Sequence, residues 1–422
     1  MSKVISPKVL ISVFFLIGAF VILGLFLIPG FIAEEPATKV TIPKTQTPES
    51  LPSNNQEMPK EPSIFGIYEV CSEIDNCDIE AGIKKVKETG AEAVIITVVD
   101  EEGLKSEAYY PSKYLPTVED LPQDYLERII KFAHENQIKV YGSINIPHNY
   151  WLAKHPDWIA YLSNGKRADF YEKDYFHRIV PPSRIISEKE CIELLQNLID
   201  EVISYGVDGI DINDNFQFSD QYLEESDSTI FSSFDDFTIE KFENETNNIV
   251  RGNSAKEKAN YIKNNPEIYA DWLKWRSKQI TKLLEILNEI TKNYNPNIPL
   301  RPHLLTYGDP YEHYGLDYQE IVKQVDVLYL MITPDQPKEK YFEVIKEGQN
   351  AKAEKIAVST YLFEQENWTV PEKDVKKILE RMKWIVGAGA DEVYVYNFEL
   401  IEKGNLWPAL KSTFDNIRTI ED

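Results

Sequence analysis

The stretch Tyr205-Gly206-Val207-Asp208-Gly209-Ile210-Asp211-Ile212-Asn213-Asp214-Asn215 begins as an apolar strand and ends crowded with carboxylates and amides. Successive side chains of a strand take opposite faces, so Ile210 and Ile212 share one face while Gly209, Asp211 and Asn213 share the other. With helices over the isoleucine face, Asp211 and Asn213 point into the interior. An ionised carboxylate there is costly unless it is paired, hydrogen-bonded or functional. Asp211 is therefore either a desolvated acid or a carboxylate pinned by Arg301 or His303 on a neighbouring strand.

Outward from this strand, apolar runs alternate with amphipathic helical patterns. Strands are predicted at 63–70, 93–99, 139–146, 207–213, 298–306, 325–333, 356–362 and 392–398. Helical patterns follow at 78–89, 123–135, 187–204, 270–293, 318–324, 341–349 and 372–387. Eight such units predict a parallel sheet closed into a TIM-type (β/α)8 barrel, and no Gly-rich phosphate loop argues for an open doubly wound sheet.

In a barrel the chemistry sits at the carboxyl ends of the strands. Those ends carry Glu69, Asp100, Glu101, Asn145, His148, Tyr150, Trp151, Asp211 to Asn215, His303, Tyr307, Asp309, Tyr329, Glu364, Glu366, Asn397 and Glu399. Glu101, Asp309 and Glu366 read as solvated loop residues or helix caps. Glycoside hydrolysis needs two carboxyl groups. The candidates are Asp211 or Asp214 on the fourth strand, with Glu364 after the seventh and Glu399 after the eighth. Asn145, His148, Trp151, Asn213, His303, Tyr307, Tyr329, Asn397 and Glu399 are the expected substrate contacts. Two excursions break the pattern, 151–158 with Trp151 and Trp158, and a long acidic insertion at about 216–269. Long loops in a compact domain are usually functional or disordered.

The formal net charge of −24 over 422 residues excludes nucleic acid and other polyanions as partners, since phosphate recognition needs clustered Lys and Arg. Residues 9–33 are nearly all apolar, about 37 Å long as a helix against roughly 30 Å of bilayer hydrocarbon. Lys3 and Lys8 before this segment and Glu34 and Glu35 after it place residues 1–8 in the cytoplasm and the rest outside. A cleaved signal peptide is the alternative, but Phe31-Ile32-Ala33 offers no clear cleavage site. Residues 34–62, rich in Pro, Thr, Ser and Glu, form a linker to a domain at 63–422. Cys71 and Cys77 suit a small disulfide outside the cytoplasm, and Cys191 lies in a helical pattern as a buried thiol. No Cys/His spacing suits zinc and no EF-hand pattern suits Ca²⁺, so neither a metal nor an organic cofactor is expected.

His155-Pro156-Asp157-Trp158, Asn164-Gly165-Lys166, Val207-Asp208-Gly209-Ile210 and Trp272-Leu273-Lys274-Trp275-Arg276 together resemble the glycosyl-hydrolase-like family labelled 10. That resemblance implies an exported β/α barrel that acts on or associates with carbohydrate. The fourth strand is also similar to the chitinase-like family 18, whose pattern is Asp-x-x-Asp-x-Asp-x-Glu. Asp208 and Asp211 match it, whereas Asn213 and Asn215 stand where its last two carboxylates belong. An amide is no general acid at neutral pH. The readings are thus a membrane-anchored glycosidase acting on a polysaccharide, a carbohydrate-binding barrel without hydrolysis, or a ligand-free envelope domain. Glu364 is the preferred second carboxylate because many barrel glycosidases pair strands four and seven.

Overall fold

A computed structural model of the protein describes residues 64–68, 78–102, 104–172, 175–218, 220–223, 226–333, 336–364, 367–371 and 375–418. Segment 9–33, the linker 34–62, Glu69, Cys71, Cys77 and Glu366 lie outside them. Among the described residues no helix is long and apolar enough to cross a membrane.

Eight parallel strands close into a barrel: β1 (Ile64–Tyr68), β2 (Ala93–Glu102), β3 (Lys139–Ile144), β4 (Gly209–Ile212), β5 (Leu300–Leu305), β6 (Leu328–Met331), β7 (Ile356–Tyr361) and β8 (Glu392–Tyr396). Closure comes from β1, which pairs with β2 on one side and with β8 on the other. Every expected strand is present. The larger helices are α1 (Ile79–Glu88), α2 (Tyr125–Glu135), α3 (His148–Lys154), α4 (Lys189–Ser204), α5 (Asp236–Thr246), α6 (Ala255–Lys263), α7 (Pro266–Tyr294), α8 (Lys338–Asn350), α9 (Val375–Gly387), α10 (Phe398–Gly404) and α11 (Trp407–Arg418).

Local chemistry explains these elements. The Asp78 side chain accepts the Ala81 N–H at the start of α1, and Ile79, Ile83 and Val86 recur along its buried face. Cys191, Leu194, Leu195, Leu198, Ile199, Val202 and Ile203 give α4 its apolar stripe against the sheet, and burial pushes the Cys191 thiol pKa up. Ile210 and Ile212 are fully buried outside β4 with this helical layer, and Asp211 faces the lumen.

Two glycines make room in that lumen. A Cβ on Gly209 would lie 2.6 Å from the Tyr141 ring, and one on Gly66 would collide with the ring of Tyr394. The lumen is accordingly packed with tyrosines, as Tyr68, Tyr141, Tyr329 and Tyr394 cluster there with Ile64, Ala93, Ile95, Val327 and Ala357.

Four hairpins, absent from the expected pattern, grow from the loops at the carboxyl face. Lys105–Ala108 folds back on β2, while Asp169–Glu172 with Tyr175–Arg178, Asp220–Leu223 with Ser226–Phe231, and Phe363–Glu364 with Asn367–Pro371 follow β3, β4 and β7. The described residues of the insertion at about 216–269 form one of these hairpins, α5, α6 and the first residues of α7. Phe234, Phe242, Trp272 and Trp275 give it a small aromatic core of its own.

Candidate active site

The interior of β4 and β5 is built around one guanidinium. Arg301, opposite Asp211 in the register, places Nε 3.1 Å from Asp211 Oδ1, and His303 donates from Nε2 to Asp211 Oδ2 at 2.8 Å. Arg301 also donates to the Tyr394 hydroxyl at 3.0 Å, and that hydroxyl donates to Glu392 Oε2 at 2.9 Å. The guanidinium carbon lies 3.6 Å from the centre of the Tyr141 ring. All three side chains of the Asp211, Arg301 and His303 set have 0% exposure, so the set is sealed from solvent. Burial works against the Arg301 charge, but Asp211, with Tyr394 and Glu392, outweighs it and raises the pKa further. Asp211 is a paired barrel carboxylate in this geometry, with Arg301 and His303 both as partners.

Above this floor the strand ends hold the accessible polar groups. Asp100, partly exposed at the end of β2, accepts from Asn145 Nδ2 at 2.7 Å. Asn213 N bonds Ile144 O at 3.0 Å, and the Asn213 side chain accepts the Asp214 N–H at 2.9 Å, starting the short 3-10 turn Asp214–Phe216. Asp214 is thereby carried at the mouth, partly exposed.

Asn215 clamps the turn in place. Its side chain accepts the Ile146 N–H and donates to Ile146 O, both at 2.9 Å. Gln217 donates to His303 O at 3.0 Å from the other side. We expect Asn215→Ala to destabilise the chain by about 1–3 kcal/mol, because two backbone groups of Ile146 lose their partners. Urea unfolding measures this, and a change below about 0.5 kcal/mol would show the clamp to be dispensable.

Tyr68, Tyr361 and Tyr396 line the floor of the mouth, with ring centroids 5.1 Å apart for Tyr68 and Tyr396 and 5.2 Å for Tyr361 and Tyr396. These three rings were not among the expected site residues. Their alternation with apolar neighbours at the ends of β1, β7 and β8 is the signal that would have found them.

Several expected contacts stand elsewhere. Trp151 is 1% exposed within α3 and offers no ring face to a ligand. His148 has both ring nitrogens engaged, Nε2 donating to Asn215 O and Nδ1 accepting from Val180 N, so it is a structural brace. Tyr329 is buried in the lumen with its ring stacked on His303 at 4.1 Å. Asn397 caps α10 through the Leu400 N–H, and Glu399 pairs with Lys403 one turn along that helix. Tyr307 is exposed beyond β5. Glu364 ends the first strand of the hairpin after β7, and its side chain lies outside the described residues. Among the described residues no three His, Cys, Asp or Glu side chains cluster as metal ligands.

Glu101 was expected to be a solvated loop residue and is instead built into the wall. Ser106 Oγ donates to its Oε1 at 2.5 Å and the Asn149 N–H donates to the same oxygen at 2.9 Å. Burial pushes its pKa from 4.5 to about 8 despite those two donors. A carboxyl with a raised folded pKa contributes stability that is complete below about pH 4.5 and lost as pH rises through about 8. The thermal midpoint of Glu101→Gln, relative to the unaltered chain, is therefore expected to climb from pH 5 to pH 8. A constant offset across that range would contradict the raised pKa.

The mouth thus holds carboxylates and amides from adjacent strands above a sealed charge network, at the end of a barrel where sugar-cleaving enzymes carry their chemistry. The model of one family, glycosyl hydrolase-like 10, matches residues 68–372. The chain belongs to this glycosyl hydrolase-like family. No curated protein matches it in sequence. Among solved structures, the PgaB glycoside hydrolase domain from Bordetella bronchiseptica is similar over 84% of this chain and 99% of its own, at 15% identity and a TM-score of 0.62. A β-galactosidase from Marinomonas ef1 aligns over 85% of this chain and 59% of its own, at 12% identity and a TM-score of 0.60. An α-L-fucosidase from Paenibacillus thiaminolyticus aligns over 85% and 50%, at 13% identity and a TM-score of 0.56. At these identities the likeness is one of fold, and this family member shares the barrel of all three.

Proposed function

We propose that this glycosyl hydrolase-like barrel cleaves an uncharged or cationic polysaccharide outside the cytoplasm, tethered to the membrane by residues 9–33. The observation that carries the reading is the row of polar groups on adjacent strands, Asp100, Asn145, Asn213 and Asp214, standing over a lumen in which Arg301 pairs with Asp211. Asp214 is the first catalytic carboxyl and Asp100 the second. One protonates the leaving glycosidic oxygen while the other takes a proton from the attacking water, whose oxygen joins the anomeric carbon. Only β3 separates β2 from β4, so the strand ends lie about two spacings, or roughly 10 Å, apart. This suits the roughly 6.5–9.5 Å carboxyl separation of inversion better than the about 5–5.5 Å of retention. Asp211 acts from beneath, holding β4 against β5.

A second reading, glycan binding without hydrolysis, draws on Asn215. Its amide is fully occupied by Ile146, where the chitinase-like pattern has an acid. The full chain in detergent, incubated with laminarin, hydroxyethylcellulose and glycol chitin, separates the two. Release of reducing ends from one of them supports hydrolysis, and saturable binding without release supports the second reading.

A further inference from the structure

We propose that Glu101 is a positioning residue for this reaction: gripped from two elements, its carboxyl fixes the end of β2 and with it the stance of Asp100 in the mouth. The inference rests on the reading of the mouth given above. Asp100 and Glu101 are consecutive and face opposite ways, Asp100 toward Asn145 and Glu101 toward Ser106 and α3. Ser106 lies across the hairpin from Glu101 in the register, and its hydroxyl oxygen also accepts the Tyr150 N–H at 2.9 Å. One carboxyl and one hydroxyl therefore join the β2 hairpin to the start of α3.

The charged and titratable groups around the bracket come from four elements. Asp100 and Glu102 share β2, the Glu102 side chain lying outside the described residues, and Lys105 and Glu107 flank Ser106 and pair at 3.5 Å. On α3 stand His148 and Tyr150, with Lys154 4.0 Å from the centre of the Tyr150 ring. Arg178 closes the strand Tyr175–Arg178. Burial raises the Glu101 pKa to about 8 and the Asp100 charge pushes the same way, against Ser106, Asn149 and Arg178. Neutral Glu101 is the working form. Its ionisation sets a second negative charge beside Asp100, in a half-buried wall that screens it less than bulk water does.

The test is the pH profile of kcat/KM for the full chain in detergent, on whichever of laminarin, hydroxyethylcellulose and glycol chitin it cleaves, each variant scaled to its own value at pH 6. The unaltered chain is expected to fall about tenfold by pH 9, one unit above the Glu101 pKa. Glu101→Gln, permanently neutral, is expected to lose the fall centred near pH 8 and to keep only the limb set by the catalytic acid. Ser106→Ala keeps the carboxyl but removes a donor that favours its charge, so the limb moves to higher pH. An alkaline limb unchanged in both variants overturns the proposal. Where the chain binds a glycan without cutting it, the hydrolase reading fails and the same limb is sought in the association constant. Its presence and its loss in Glu101→Gln support the proposal, whereas neither turnover nor binding overturns both.

Discussion

Asp214→Asn is expected to lower glycosidic-bond cleavage by about 10²- to 10⁴-fold, the usual worth of a positioned acid or base. The exchange keeps size and acceptor oxygen but removes the titrating proton. Asp214 heads a turn whose backbone is held by Asn213 before it and by Asn215 and Gln217 after it, so the turn survives the substitution. The thermal midpoint should stay within a few degrees, and substrate should still bind. Asp100→Asn should behave likewise if the two carboxyls work as a pair. Glu364→Gln in the same assay decides between Asp100 and the residue after β7. A loss in Asp214→Asn and Glu364→Gln but not in Asp100→Asn would make Glu364 the second carboxyl in place of Asp100.

Arg301→Met is expected to cost about 3–5 kcal/mol, because it strands buried carboxylates without their counter-charge. Asp211 would retain only His303, and Glu392 only the Tyr394 hydroxyl. Against a total stability of about 5–15 kcal/mol this brings the barrel close to unfolding. Adding Asp211→Asn should recover part of the loss, since a buried amide with a hydrogen bond costs less than an unpaired charge. Urea unfolding of the two variants measures both effects. A loss under about 1 kcal/mol for Arg301→Met would mean that the lumen is hydrated and that the network is not what holds β4 to β5.

Much of this architecture was legible because it follows from period and chemistry. The inward alternation Gly209, Asp211, Asn213 placed Asp211 in the lumen, and the same alternation on β5 placed Arg301 and His303 beside it. The eight strands appeared where apolar runs end in polar residues, mostly two or three residues shorter than the predicted run, whereas β2 runs on to Glu102. What was illegible depends on contacts distant in the chain. Glu101 reads as a solvated loop residue, and only the fold-back of Lys105–Ala108 against α3 encloses it. Trp151 and His148 lie beside Asn145 in sequence and looked like ligand contacts. The short helix α3 turns Trp151 into the core and aims His148 at the backbone of Val180 and Asn215. Asp208, part of the motif that marks the family resemblance, serves the opposite end of the barrel. There it accepts the Val140 N–H at 2.8 Å and pairs with His134 at 2.9 Å.

Proton NMR of a defined oligosaccharide of the cleaved polysaccharide, mixed with the full chain, follows bond cleavage and its stereochemistry together. New anomeric signals, first of inverted configuration, are predicted with the unaltered chain and absent with Asp214→Asn. Equal signals from both would contradict catalysis by Asp214 at the mouth of the barrel.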